Sequence, residues 1–235
     1  MSAPSSVIKP LRIAVMVSGR GSNLRALIDA QQAGGLPVEI VGVFSDRPDC
    51  NAIALAKQSS IPTAALPAKD FPSRDAFDAA LFDRVAAVQP DLIVCAGYMR
   101  IISDAAVRRF EGRMLNIHPS LLPKYPGLHT HARALAAGDS EHGASVHLVI
   151  PALDAGPVLS QVRVAVDAGD TAESLARRLL PREHALLVQS LRWLAEHRAV
   201  LRRTQFHCNG QPLTGPLLLN DHDQLEDVSR CAPDY

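Results

Sequence analysis

Asn116 and His118 stand two residues apart in the string Leu115-Asn116-Ile117-His118-Pro119-Ser120-Leu121-Leu122-Pro123. The string begins as an apolar strand and leaves the sheet ladder at its prolines, which have no N–H to give. In an extended segment residues two apart point to one face, so an amide donor and an imidazole converge on one spot. That pair suits a reaction in which a carbonyl oxygen gains negative charge while a proton moves near neutral pH. On these two residues alone, an ordinary strand end with one polar turn residue reads equally well.

Other places also hold groups able to do chemistry. Ser18-Gly19-Arg20-Gly21-Ser22-Asn23 follows an apolar run and precedes an amphipathic one. It lacks the Gly-Lys-Ser/Thr ending of an ATP loop, and Leu24 stands where the third glycine of a dinucleotide fingerprint would fall. Two readings remain. One is a glycine turn at a helix N-terminus, where free N–H groups and the helix dipole hold a single phosphate, with Ser22 and Asn23 as added donors. The other is a plain tight turn with Ser22 as helix cap. Asp154, in Pro151-Ala152-Leu153-Asp154-Ala155-Gly156-Pro157, is either a charged partner in chemistry or a turn aspartate bonding its own backbone. His147 either faces the same cleft as His118 or is a satisfied structural histidine. His129 and His131 invite a metal reading, but residues two apart on a helix do not face each other, and no carboxylate or cysteine stands at ligand spacing. No metal is expected.

The elements that must position these groups follow from apolar periodicity. Leu11 to Val17, Val38 to Phe44 and Leu92 to Ala96 are near-continuous apolar runs of the kind buried on both faces of a parallel sheet. Helices are expected over Leu24 to Gln32, Asn51 to Ser59, Ser73 to Val88 with Ser73 as cap, Ser103 to Phe110 with Ser103 as cap, and His129 to Ala137 with Gly138 as stop. Thr63 to Leu66, Met114 to Ile117, Gly143 to Ile150 and Val158 to Val166 read as strands. Asp170 with Glu173 reads as a capping box for a helix over Ala172 to His197, which Pro181 should kink or split. Val200 to Phe206 and Gln211 to Thr214, joined through Cys208-Asn209-Gly210, read as a closing hairpin. The expected fold is α/β, a doubly wound, mostly parallel sheet with antiparallel strands and a hairpin in the C-terminal part. Residues 1–10 read as a disordered lead-in and residues 216–235 as a disordered acidic, polar tail.

The totals narrow the class of function. With 235 residues and 47% hydrophobic content the chain can pack a large core, and a formal net charge of zero offers no bulk field for nucleic acid or a membrane surface. Small-molecule substrates are the expected partners, with the protein a monomer or homodimer. Cys50, Cys95, Cys208 and Cys231 are scattered without a C-x-x-C pair, and no apolar leader or membrane span is found. This fits reduced thiols and a cytoplasmic protein.

The string from Asn116 to Gly127, with His129-Thr130-His131 after it, resembles the folate-dependent formyltransferase family, whose members take a one-carbon unit from 10-formyltetrahydrofolate. Within that family it is most similar to the branch that formylates glycinamide ribonucleotide in purine biosynthesis. The resemblance covers about residues 11–215. It implies a Rossmann-like formyltransferase fold in one domain, with a ribonucleotide phosphate site in its N-terminal half and a folate site in its C-terminal half. It also implies direct transfer without a covalent enzyme intermediate, and site residues matched position by position. Asn116, His118 and Asp154 would be catalytic. Gly21, Ser22, Asn23 and Glu183 would hold the ribonucleotide. Arg74, Met99, Arg100, Ile101, Ile102 and Asn116 would hold the folate. The Asp154 loop departs from the family at Ala155, which is glycine in some members. Asn116 would donate to the oxygen that becomes anionic, while His118, kept charged by Asp154, would donate too and then move the amine proton. A hydrolase of 10-formyltetrahydrofolate shares the same Asn, His and Asp behind a further N-terminal domain, and the tRNA formyltransferases carry a C-terminal nucleic-acid domain. With a first strand at Leu11 and an early end, neither is expected.

Overall fold

Ile13 to Val17 expose no surface at all. In the computed structural model, which describes residues 10–226 apart from 198–199, 203–204 and 209–210, they form the heart of β1 (Leu11–Val17). Successive side chains of a strand point to opposite faces. Ile13, Val15 and Val17 accordingly pack into one apolar core, shared with Leu24, Leu27 and the leucines of a long C-terminal helix, while Ala14 and Met16 enter a second, shared with Phe77 and Phe82. Helices cover both faces of the sheet, and that is what doubly wound means physically.

The chain runs from β1 through α1 (Ser22–Gln32), β2 (Val38–Ser45), α2 (Asn51–Gln58) and β3 (Thr63–Ala65), then α3 (Arg74–Ala87), β4 (Leu92–Cys95), α4 (Asp104–Arg109) and β5 (Met114–His118). These five strands are mutually parallel. After α5 (Thr130–Ala136) come β6 (Glu141–Leu148), antiparallel to β5, and β7 (Val158–Ala165), antiparallel to β6. The helix α6 (Ala172–His197) packs back across the sheet, with contacts to α1, β6 and β7. The order across the sheet places β4 on one side of β1 and β2 on the other, so the chain changes direction of travel beside β1. In open parallel sheets ligands gather at such a point, beyond the carboxyl ends of the strands.

Several expectations give way to packing. Pro181 lies inside α6, yet the helix is continuous over its 26 residues. An interior proline costs about 3 kcal/mol. Leu175, Leu179, Leu186, Leu187 and Leu191, all without exposed surface, lie on both sides of it. At roughly 1.5–3 kcal/mol each their burial outweighs the proline. The capping box at the start of α6 is made by Thr171 and Ser174, not by Asp170 and Glu173. The Ser174 N–H donates to Thr171 Oγ1 at 3.2 Å and the Thr171 N–H to Ser174 Oγ at 2.9 Å. Asp170 instead accepts from the Ser174 hydroxyl and from Arg178. Ser73 caps α3 as expected, accepting from the Ala76 N–H at 3.1 Å. The Ser103 hydroxyl makes no capping bond to α4, and the buried carboxylate of Asp78 takes the Ser103 N–H at 2.6 Å.

The C-terminal region differs most from its sequence reading. In place of one hairpin there is a three-stranded antiparallel sheet, β8 (Val200–Arg202), β9 (Gln205–Cys208) and β10 (Gln211–Pro212); the expected turn at Asn209-Gly210 lies outside the described residues. The supposed tail adds β11 (Leu217–Leu219), parallel to β7, and β12 (Leu225–Glu226) to the main sheet, which thereby has nine strands. Leu217 and Leu219 are buried, and Arg182 on α6 donates to the Asn220 carbonyl at 2.7 Å and to the Asp223 carboxylate. Residues 1–9, most of the expected lead-in, and 227–235, the end of the tail, lie outside the described residues.

The exposed Pro181 should respond to replacement. Pro181→Ala is expected to raise the free energy of unfolding by about 1–3 kcal/mol, the restored helical bond and relieved ring clash, as read from urea denaturation monitored by circular dichroism. An unchanged or lowered midpoint would show that the proline shapes α6 in a way its neighbours need.

Candidate functional site

At the carboxyl end of β1 the chain turns into α1 through Gly21, whose φ is +81°. A Cβ there would meet the Ala52 Cβ at 2.8 Å and its Cα at 2.9 Å, so both the dihedral and the close approach of α2 demand glycine. No side chain caps α1. Its first N–H groups have no side-chain cap among the described residues, and Ser22 lies in the first turn rather than acting as the cap. A cleft of about 410 Å³ opens here, lined among others by Arg20, Gly21, Ser22, Arg25, Asn51 and Leu180. Asn23 is buried, with no partner for its Oδ1 among the described residues. Glu183, one turn along α6 from Leu180, is buried too, and loss of hydration pushes its carboxyl up to about 7. It is thus not the exposed helical charge it would otherwise be.

The second group of side chains sits at the ends of β5 and β6. His118 Nε2 lies 2.9 Å from the Tyr125 carbonyl. A carbonyl only accepts, so Nε2 carries the hydrogen, and Nδ1 faces Asp154 Oδ2 at 3.5 Å. Asp154, at φ +50°, is held in the turn by the Gly127 N–H, which donates to Oδ2 at 2.8 Å. The side chains of His118 and Asp154 are only 8% and 9% exposed, so they meet largely out of water.

His147 is the residue that sequence reasoning left undecided, and it stands in this group. Its Nδ1–H donates to the Leu148 carbonyl at 2.9 Å, while Nε2 lies 3.1 Å from Asn116 Nδ2 and 3.6 Å from Asp154 Oδ1. Burial holds its pKa below the ordinary histidine value, with the bond to Leu148 and the nearby Asp154 charge pulling the other way. Neutral His147 therefore accepts one Asn116 N–H and leaves the other free. Asn116 and His147 are direct partners in the β5–β6 register, a relation that no spacing within one chain reveals.

The segment after β4 is pinned by Ser18. The Ser18 N–H donates to the Gly97 carbonyl at 3.1 Å, its hydroxyl accepts from the Met99 N–H at 2.9 Å, and the same hydroxyl donates to the buried Asp46 at 2.6 Å. Met99 and Ile101 are 67% and 59% exposed, an apolar wall beside the switch point. Ile102 instead packs against the second core, and the Arg100 guanidinium lies 5.0 Å from the centroid of the Phe77 ring. Arg74 is exposed in the first turn of α3, with Asp78 among its electrostatic neighbours. No bond joins Arg74 to the His118 group among the described residues.

His131 does not pair with His129. Its Nδ1 lies 2.9 Å from Nε2 of His142, which is 1% exposed. Among the described residues there is no group of three or more His, Cys, Asp or Glu able to hold a metal ion, and no helix long and apolar enough to cross a membrane.

Residues 11–191 match the family described as formyl transferase, and the chain belongs to that family. The match narrows further, to phosphoribosylglycinamide formyltransferases. The chain is 44% identical over 203 residues to that of Escherichia coli (strain K12), covering 86% of this chain and 96% of the relative. It is 46% identical over 188 residues to that of Mycobacterium tuberculosis (strain H37Rv), covering 80% and 86%. Among solved structures, the phosphoribosylglycinamide formyltransferase from Coxiella burnetii in complex with CHES superposes with a TM-score of 0.84 at 45% identity, covering 88% of this chain and 99% of that one.

The His131–His142 pair makes a pH-dependent contribution to stability. Burial, then the neighbouring His131, lowers the His142 pKa from 6.5 to about 4, so the fold keeps it neutral where the unfolded chain would take up a proton. Its contribution is complete above about pH 6.5 and is lost as the pH falls toward 4. Urea denaturation at stepped pH is expected to show this decline, and His142→Phe to flatten it; equal slopes would remove His142 as the cause.

Proposed function

We propose that this enzyme transfers the formyl group of 10-formyltetrahydrofolate to the amine of 5′-phosphoribosylglycinamide, giving N-formylglycinamide ribonucleotide in de novo purine biosynthesis. The observation that carries the reading is the pairing of His118 with Asp154, 3.5 Å apart, with Asn116 linked to them through His147. One domain serves both substrates. Gly21, Ser22 and Asn23 hold the 5′-phosphate at the α1 N-terminus, a reading supported by its uncapped N–H groups and by the flanking Arg20 and Arg25. Glu183 takes the sugar, as an acceptor near its own titration point. Met99 and Ile101 give a flat heteroaromatic ring an apolar wall, Arg100 and Ile102, held behind it by Phe77 and the second core, complete the folate segment, and Arg74 adds a cation for the folate.

The side chains then divide the work. The free N–H of Asn116 donates to the formyl oxygen as charge gathers there during attack by the amine. His118, with Nε2–H on the Tyr125 carbonyl, takes up the amine proton at Nδ1 and passes it from there toward the departing folate nitrogen. Asp154 keeps the imidazole turned and stabilises its charge. No nucleophile on the protein is required.

An assay of formyl transfer to glycinamide ribonucleotide, with water and tRNA as competing acceptors, tests the assignment; preference for either competitor would overturn it. Asn116→Ala is expected to reduce kcat roughly 10²–10³-fold, the usual loss for one such donor. Asp154→Asn should lower kcat with little change in the ribonucleotide KM, whereas Ser22→Ala with Asn23→Ala should raise that KM more than the folate KM.

A further inference from the structure

Tyr125 presents the carbonyl that holds the His118 ring, and it does so from φ +56°, a left-handed conformation that bulky side chains resist. Something must hold it there. The Tyr125 hydroxyl donates to Asp139 Oδ2 at 2.8 Å, and Lys124 Nζ donates to both oxygens of the same carboxylate at 2.9 and 3.0 Å. Arg133 stacks over the Tyr125 ring at 5.2 Å and donates to the Pro126 carbonyl at 2.5 Å. Asp139 follows Gly138, which is at φ +69°, and its N–H is fixed to the Ala134 carbonyl at 3.2 Å, so the carboxylate is anchored to the end of α5. The groups around it, Lys124, Tyr125 and His142, hold its carboxyl below the usual carboxylate range, the Lys124 bond most of all.

We propose that Asp139 is a positioning residue for formyl transfer: through the Tyr125 hydroxyl it fixes the carbonyl that accepts from His118 Nε2–H, and so keeps Nδ1 turned toward Asp154. The proposal rests on the reading that His118 moves the proton. A neutral imidazole has one N–H, and the carbonyl fixes it on Nε2. A proton gained during the reaction must then enter at Nδ1, where the Asp154 carboxylate stabilises it. With Asp139 removed, Tyr125 can relax to negative φ, its carbonyl swings away and the tautomer is no longer selected. The other charged or titratable groups facing His118 are Asp154 from the 151–157 loop, His147 and His142 from β6, and His131 from α5. None of them supplies an acceptor for Nε2–H.

The test compares Asp139→Ala, Asp139→Asn, Lys124→Ala and Tyr125→Phe in the full chain. Asparagine keeps an acceptor for the Tyr125 hydroxyl but offers no charge to Lys124. Asp139→Ala is expected to lower kcat roughly tenfold with the ribonucleotide KM changed by less than about twofold, and to displace the kcat–pH profile. In ¹⁵N spectra the His118 ring should pass from a dominant Nε2–H tautomer to a mixture. Asp139→Asn should restore most of kcat, and Lys124→Ala should cost less than Asp139→Ala. Tyr125→Phe should reproduce the spectral change, and it carries the test if the alanine variant does not fold. An alanine variant with wild-type kcat and an unchanged His118 spectrum overturns the proposal, as does an asparagine variant no better than alanine. If His118→Ala itself leaves turnover intact, the proton-transfer role falls instead, and the His118 spectrum of Asp139→Ala still reports whether the carboxylate governs the ring.

Discussion

A carboxylate on a loop and an imidazole on a strand end lie 3.5 Å apart with more than nine-tenths of each side chain out of water. Burying an ion costs several kcal/mol unless its remaining hydrogen-bonding capacity is met, so the contact constrains everything around it. Asp154 meets that demand with the Gly127 N–H and, when His118 is protonated at Nδ1, with that N–H; neutral His147 turns a lone pair toward it and adds nothing. His118 meets it with the Tyr125 carbonyl. Both arrangements need backbone in the left-handed region, at Asp154 and Tyr125, and such conformations persist only where the neighbouring structure enforces them.

The enforcing structure is the sheet. β5 and β6 are antiparallel neighbours, which brings Asn116 opposite His147 and lets a neutral ring orient an amide. On the other side of the switch point, the Ser18 hydroxyl joins β1, the buried Asp46 and the Met99 backbone in one chain of bonds. The loop proposed to hold the phosphate depends on the same strand, since Gly21 follows the carboxyl end of β1 and is wedged against Ala52. Three parts of the site are thus referred to three strands of one sheet, β1, β5 and β6.

Much of this was legible in the sequence because the relevant physics is local. Apolar runs marked the buried parallel strands, Ser73 marked its helix start, and the Asn-x-His spacing marked two side chains on one face. What was not legible depends on partners distant in the chain. The 116–147 pairing is a register between strands, and the burial of Glu183 follows from how α6 lies on the sheet. Pro181 reads locally as a kink or a split, and leucines on both sides of it keep the helix from splitting. Residues 217–219 read as part of a tail because three leucines among prolines and polar residues carry too little pattern to show a strand, and the edge of β7 gives them one.

That last element has a consequence for the handling of the protein rather than its chemistry. β11 pairs with β7, and β12 pairs with β11, while Arg182 ties their connection to α6. Stripped of them, β7 would present its outer rim of unpaired N–H and C=O groups along a strand with Leu159, Ser160 and Val162 buried. Such a rim is a template for another chain to add itself. A version shortened just past residue 215 would keep every group assigned to the reaction and yet tend to self-associate, so β11 and β12 act as a guard against aggregation.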